Sequence, residues 1–134
     1  MPVDEFMRAK GLNHVFAAGD VASALMDGCH PSVMSCQHGR PMGRFAGFNV
    51  VSDLFDLPML PLRIPWYVTV LDLGSWGAVY TEGWHRHVVA VGAAAKQTKQ
   101  LINCRRIYPP LSRNRREILD AAAPVVQAPP DLHH

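Results

Sequence analysis

One stretch restricts this chain's fold more than any other. It is an apolar run, Val15-Phe16-Ala17-Ala18, closed at once by Gly19-Asp20. A run without polar alternation suits a strand covered on both faces, as in a parallel sheet. Gly19 permits a turn that a side chain would obstruct. Asp20 then stands at the carboxyl end of a strand and the amino end of a helix, the edge where open α/β sheets bind ligands. There a carboxylate can cap the helix and also accept a hydrogen bond from a hydroxyl. Ala17, Ala18 and Ala22 keep the surrounding surface low. The same residues also describe an ordinary strand–turn–helix with an aspartate cap.

The 134 residues, 49% hydrophobic and 18% charged, are those of a globular domain able to bury a core. The net charge of +2 selects no partner, although Arg105, Arg106, Arg113, Arg115 and Arg116 crowd one segment. Three cysteines argue against a secreted disulfide scaffold. The acidic start lacks the apolar core of a signal sequence, and no apolar run approaches the ~20 residues needed to span a bilayer. The reading is a cytoplasmic protein. The arginines offer a peripheral contact with anionic lipid, or simply a solvated surface. No recognised module accompanies their charge, so nucleic acid is not expected.

Along the chain, Asp20 to Met26 reads as a short helical start and Asp27-Gly28-Cys29-His30 as a loop. Pro31 falls where a helix would begin. Ser32 to about Phe55 suits a long helix that Pro41 should bend or break. Gly39, Gly43 and Gly47 recur every four residues and give it a smooth face for close packing. A proline-punctuated connector, Leu57 to Pro61, leads into strands expected at Ile64–Leu73, Ala78–Thr81 and His87–Val91. The glycine turns between those strands predict an antiparallel meander. Helices are expected over Ala93–Cys104, with Lys96 and Lys99 exposed, and over Arg115–Ala123. A mobile tail follows from Pro124, its final histidines read as a vector remnant. The expected segments are therefore 1–56, 57–92, 93–123 and 124–134.

Other groupings are weaker. Cys29, His30, Cys36 and His38 lie within ten residues but lack zinc-type cysteine pairs, and Cys36 and His38 would face different sides of a helix. No metal site is expected, and the thiols read as buried or inert. His85 and His87 would share one face of a strand. Trp66, Tyr67, Trp76, Tyr80 and Trp84 read chiefly as sheet packing.

Asn13 to Ala22 resembles the second FAD-binding motif of the pyridine nucleotide–disulfide oxidoreductases. Val3 to Arg8 resembles the segment leading into that motif. His30 to Val33, through Gln37-His38-Gly39, resembles the helix start that follows it. The nearest branch is type II NADH dehydrogenase, an NADH:quinone oxidoreductase. The resemblance is good from Val3 to about Val51, looser to about Gly92, and beyond that confined to general layout. It implies an α/β chain (α+β if taken alone). That chain would be the C-terminal part of an FAD-binding Rossmann-like domain, followed by the meander and C-terminal helices. It also implies roles for single residues. Asp20, with Gly19 and Val21, would meet the ribityl chain and pyrophosphate side of FAD. Pro31, Ser32 and Val33 would bring a helix N-terminus to the flavin ring. The branch usually carries Ala-Gln at about Ser32-Val33, and valine cannot make the glutamine's hydrogen bond toward a quinone.

No G-x-G-x-x-G occurs in the chain, and the family needs one such loop for FAD and another for NADH. The chain alone is therefore expected to be inactive. It reads as part of an FAD-dependent NAD(P)H dehydrogenase that passes electrons from NADH to an acceptor such as quinone. Its expected partner is a complementary N-terminal flavoprotein part or a second copy. The alternatives are a non-catalytic assembly module derived from such a flavoprotein, and a small thiol or metal protein.

Overall fold

The apolar and polar residues between Cys36 and Leu54 follow helical spacing, and they form a single helix, α1 (Cys36–Leu54). The structure, a computed structural model, describes residues 1–131. One side of α1 is buried through His38, Pro41, Met42, Phe45, Ala46, Asn49 and Ser52. The expected break at Pro41 does not occur. Its ring lies on the buried side, where packing offsets the lost backbone hydrogen bond. Helix α1 begins five residues later than Pro31, with Ser35 as its N-cap. Pro31 instead bridges to Leu25 in extended backbone.

The chain forms two compact units. The first comprises Met1–Pro65 and Pro110–Val126; the second comprises Trp66–Pro109 and the described residues from Gln127 onward. Together they are a mixed α/β structure in which the meander is a three-stranded antiparallel sheet.

In the first unit, extended segments lie against α1 and are joined by isolated bridges rather than continuous strands. The run Val15–Ala18 is not a buried parallel strand. The Ala9 N–H donates to Val15 O at 2.8 Å, and the Ala17 N–H donates to Met7 O at 3.0 Å. The pairing is antiparallel, with Val15 exposed and Phe16 to Ala18 half-buried. The nearest free backbone belongs to the segment just before it, and residues with positive φ, Gly11 and His14, turn the chain back. One parallel bridge does occur, between Pro2 and Ser23. The expected helical start after Asp20 is a single 3-10 turn, Gly19–Val21, and the chain is extended again at Ala22. Met7, Met26 and Met42 fill the core, flexible side chains suited to an irregular interior. The short helix α3 (Arg115–Ala121) also belongs to this unit. The Asn114 side chain caps it by accepting from the Arg116 and Glu117 N–H groups.

Asn49 holds three of these segments together. It is fully buried; its Nδ2 donates to Phe6 O and Leu60 O at 2.9 Å each, and its Oδ1 accepts from Leu60 N–H at 2.8 Å. The opposite side of α1 is exposed along Gly43, Gly47, Val50, Val51 and Leu54. Among the three regularly spaced glycines only Gly39 makes a close approach: a Cβ there would lie 3.6 Å from Gly19 Cα, whereas one at Gly43 or Gly47 would meet nothing within 4 Å.

In the second unit, β1 (Val68–Asp72), β2 (Ala78–Glu82) and β3 (His87–Val91) pair in chain order. The first strand is shorter than expected, because Ile64 is buried in the first unit, where its N–H donates to Met26 O. Helix α2 (Gly92–Leu101) packs Ala95 against Ala78 and Tyr80, flanked by Val68, Val70 and Ala90. It passes into a π-type turn, Ile102–Arg106. Lys96 is not free on an exposed face; it pairs with Asp72 at 2.6 Å. Tyr67 stacks on Trp84 at 4.6 Å, and Tyr80 is fully buried, as sheet packing requires. Trp76 departs from that pattern and is 86% exposed. His85 lies in the turn before β3 rather than on the strand with His87, their rings 6.2 Å apart. The tail is not loose throughout. Pro130 is buried, its carbonyl accepts from the Tyr80 hydroxyl at 3.4 Å, and Ala128 O accepts from Arg106. The histidines read as a vector remnant lie outside the described residues.

Each unit yields a test. Asn49→Ala takes the side-chain partner from three part-buried backbone groups and should destabilise the first unit by about 1–3 kcal/mol, read from loss of helical circular dichroism in urea. Gly77 has φ +102°, and a Cβ there would lie 2.5 Å from the Gly92 carbonyl carbon. Gly77→Ala should therefore cost the second unit at least about 2 kcal/mol. Tryptophan fluorescence isolates that loss, because Trp66, Trp76 and Trp84 all lie in the second unit.

Candidate functional site

Gly19 adopts φ +75°, which a side chain would strain, and so forms the tight turn its position called for. The turn rests on the first turns of α1, where a Cβ at Gly39 would meet Gly19 Cα in ordinary van der Waals contact. Asp20 occupies the middle of the turn and is exposed, as is Val21. Ala18, not Asp20, is the N-cap of this short turn, and no side chain caps it. The Asp20 carboxylate therefore points to solvent rather than closing its own helix end.

The second group of residues folds back beside the first. The Ser32 N–H donates to Ala24 O at 2.7 Å. The Ser32 hydroxyl accepts from Ala24 N–H at 3.3 Å and donates to Ala22 O at 3.2 Å. Ser32 thus locks the segment that leaves the Gly19–Val21 turn. Pro31 is exposed and Val33 half-buried. The Val33 N–H donates to His38 Nδ1 at 2.9 Å. Both backbone donors assigned to a flavin ring by resemblance are therefore engaged within the chain.

His38 is fully buried, and desolvation holds its pKa below the ordinary histidine range. Accepting at Nδ1 leaves the proton of the neutral ring on Nε2. The Gln37 side-chain amide nitrogen lies 3.3 Å from Nε2. His38 is a structural ring inside the first unit.

The cysteines are not buried: Cys29, Cys36 and Cys104 are all exposed. Cys36 and His38 diverge, as their spacing on a helix dictates, one to solvent and one to the core. Cys29 and His30 instead gather with Asp27, which shares their loop. Asp27 Oδ1 accepts from the Cys29 and His30 N–H groups at 3.0 and 2.8 Å, and its Oδ2 lies 2.7 Å from His30 Nδ1. These bonds from His30 and Cys29 hold the Asp27 carboxyl well below its usual range. The Asp27 carboxylate beside it pushes the Cys29 thiol up. The available signal was the Asp-Gly pair itself, since aspartate commonly folds the next two or three residues onto its own side chain.

Among the described residues, no helix is long and apolar enough to cross a membrane. The five arginines are divided between the two units, Arg105 and Arg106 in the second and Arg113, Arg115 and Arg116 in the first.

No family model matches the chain. Two NADH dehydrogenase-like proteins, from two strains of Mycobacterium tuberculosis, are each 68% identical to it over 130 residues. The match takes in 97% of this chain but 32% of each relative, so the chain spans about a third of the length of the curated relatives it matches. It is thus related to NADH dehydrogenase-like proteins.

The buried ring sets a pH test. The unfolded ring takes up a proton below about pH 6.5, while the folded ring resists until lower pH. The unfolded state then binds more protons, so stability is full above about 6.5 and falls as the pH drops through that window. His38→Asn keeps an acceptor for the Val33 N–H and should remove up to one proton's worth of this slope, measured as urea stability against pH beside the unaltered chain.

Proposed function

We propose that this chain supplies one wall of the flavin site of an FAD-dependent NAD(P)H dehydrogenase of the pyridine nucleotide–disulfide oxidoreductase type. The observation that carries this reading is the Gly19–Val21 turn. It is stacked on the start of α1 with the Asp20 carboxylate open to solvent, in a chain 68% identical to NADH dehydrogenase-like proteins. Gly19, Asp20 and Val21 fit the sugar-alcohol side of FAD: the turn leaves room for a close approach, and the carboxylate is available to accept hydroxyl hydrogen bonds. The ring side fits only in part. Pro31 is exposed, but the Ser32 and Val33 N–H groups already have acceptors. When bound, FAD would take a hydride from NADH and pass electrons to an acceptor such as quinone. The chain's own part is to orient the cofactor through Asp20 and to shield it with α1.

The glycine loops for both dinucleotides would come from a complementary polypeptide. The exposed side of α1, Gly43, Gly47, Val50, Val51 and Leu54, is a surface that such a polypeptide or a second copy would cover. The divided arginines leave a peripheral membrane contact as part of the same proposal. A second reading, a non-catalytic assembly module, is favoured by one observation: the Ser32 and Val33 donors serve the fold itself.

The test is flavin retention. The chain alone should purify colourless and fail to oxidise NADH. Co-expressed with the upstream two-thirds of a relative, it should carry FAD. Asp20→Asn should weaken that retention about tenfold, since a hydrogen bond to a charged group is worth roughly 1.5–3 kcal/mol. A combined preparation that never acquires flavin would leave the assembly module as the better account.

A further inference from the structure

We propose that Asp27, Cys29 and His30 form a zinc-binding site, separate from the flavin reading and independent of it. One carboxylate oxygen, one thiol sulfur and one imidazole nitrogen of these residues lie within 4.8 Å of one another. Asp27 Oδ2 and His30 Nδ1 are 2.7 Å apart, Cys29 Sγ and His30 Nδ1 3.2 Å, and Cys29 Sγ and Asp27 Oδ1 3.3 Å. Three different donor atoms therefore converge within four consecutive residues.

The backbone makes this convergence possible. Gly28, at φ +101°, turns the chain so that positions one, three and four of the loop face one another. Asp27 Oδ1 accepts from two backbone N–H groups, which fixes the carboxylate and turns Oδ2 toward His30. The Met26 N–H donates to His30 O at 2.8 Å and closes the base of the loop, and the bridge between Leu25 and Pro31 continues that closure. The donors are thus held together before any ion arrives, which lowers the ordering cost of binding.

The donor set selects the ion. Thiolate and imidazole favour zinc over magnesium or calcium, which take oxygen ligands. Bonds of about 2.3 Å to sulfur and about 2.0–2.2 Å to nitrogen and oxygen, at tetrahedral angles, separate the ligands by roughly 3.3–3.6 Å. The Oδ2–Nδ1 separation of 2.7 Å is shorter than this, the Sγ–Nδ1 and Sγ–Oδ1 separations of 3.2 and 3.3 Å lie at its lower edge, and one donor atom from each residue lies within 4.8 Å of the others. Small side-chain rotations make up that difference. Cys29 is exposed, so the fourth position faces solvent and takes water, the pattern of an open three-ligand site. His38 is excluded by its burial and its bond to Val33, so the ligand set differs from any that cysteine and histidine spacing suggests.

The experiment titrates the full 134-residue chain with zinc chloride and, in parallel, cobalt chloride. Cys36→Ser, Cys104→Ser, His133→Ser and His134→Ser are introduced first to remove other donors. One equivalent of zinc should bind, and cobalt should give a thiolate charge-transfer band. In that background Cys29→Ser should abolish the band. His30→Gln and Asp27→Asn should each weaken zinc at least about tenfold. Asp27→Asn retains the oxygen that accepts the two backbone N–H groups, so it separates ligation from loop structure, and unchanged circular dichroism verifies the fold. Absence of the cobalt–thiolate band, or equal zinc affinity in the Cys29→Ser variant and its parent, would overturn the site.

Discussion

The first unit depends on a buried amide. Asn49, midway along α1, gives both of its polar atoms to backbone groups of segments 43 and 11 residues away. No sheet ladder performs that service here, because the extended segments meet only at isolated bridges. A polar side chain in a core is costly unless every atom is paired. Once paired, it specifies one arrangement where apolar contacts would tolerate several. The N-terminal segment and the connector before Leu62 are both referred to α1 by this one residue.

The same economy of backbone partners shapes the candidate site. Each extended segment must satisfy its own N–H and C=O groups within a small unit. Ser32 does so with both its hydroxyl and its N–H, and His38 accepts the N–H of half-buried Val33. This leaves Asp20 as the polar group of the expected flavin corner that the fold does not consume. It also draws the Asp27 carboxylate into ordering its own loop, with the Cys29 and His30 donors beside it.

Legibility differed by element for physical reasons. β3 lies at its expected limits, β2 within one residue, and α1, α2 and α3 within a few, because glycine turns and local propensity act over a few residues, whereas the helix expected from Asp20 to Met26 is a single 3-10 turn. The Gly19 turn was readable because positive φ leaves few alternatives. The strand before it was misread: burial and direction depend on neighbours, and Val15–Ala18 found an antiparallel, half-exposed partner in residues 7–9. Pro31 misled in the same way, since a residue suited to a helix start serves equally in extended backbone. Trp76 carries the composition of a core residue, yet nothing in its local sequence could show that it is exposed.

The sequence by itself determined the elements that local sterics and spacing impose: the glycine turn at Gly19, the presence of a long helix through the 40s, and the three-stranded meander. It also determined the kinship with NADH dehydrogenase-like proteins. Only the tertiary structure decided which donors those elements leave unused. Asp20 is open while Ser32 and Val33 are engaged, and Asp27 rather than Cys36 or His38 joins Cys29 and His30. The reason is that hydrogen-bond satisfaction is settled across the whole unit, between groups whose proximity no local pattern records.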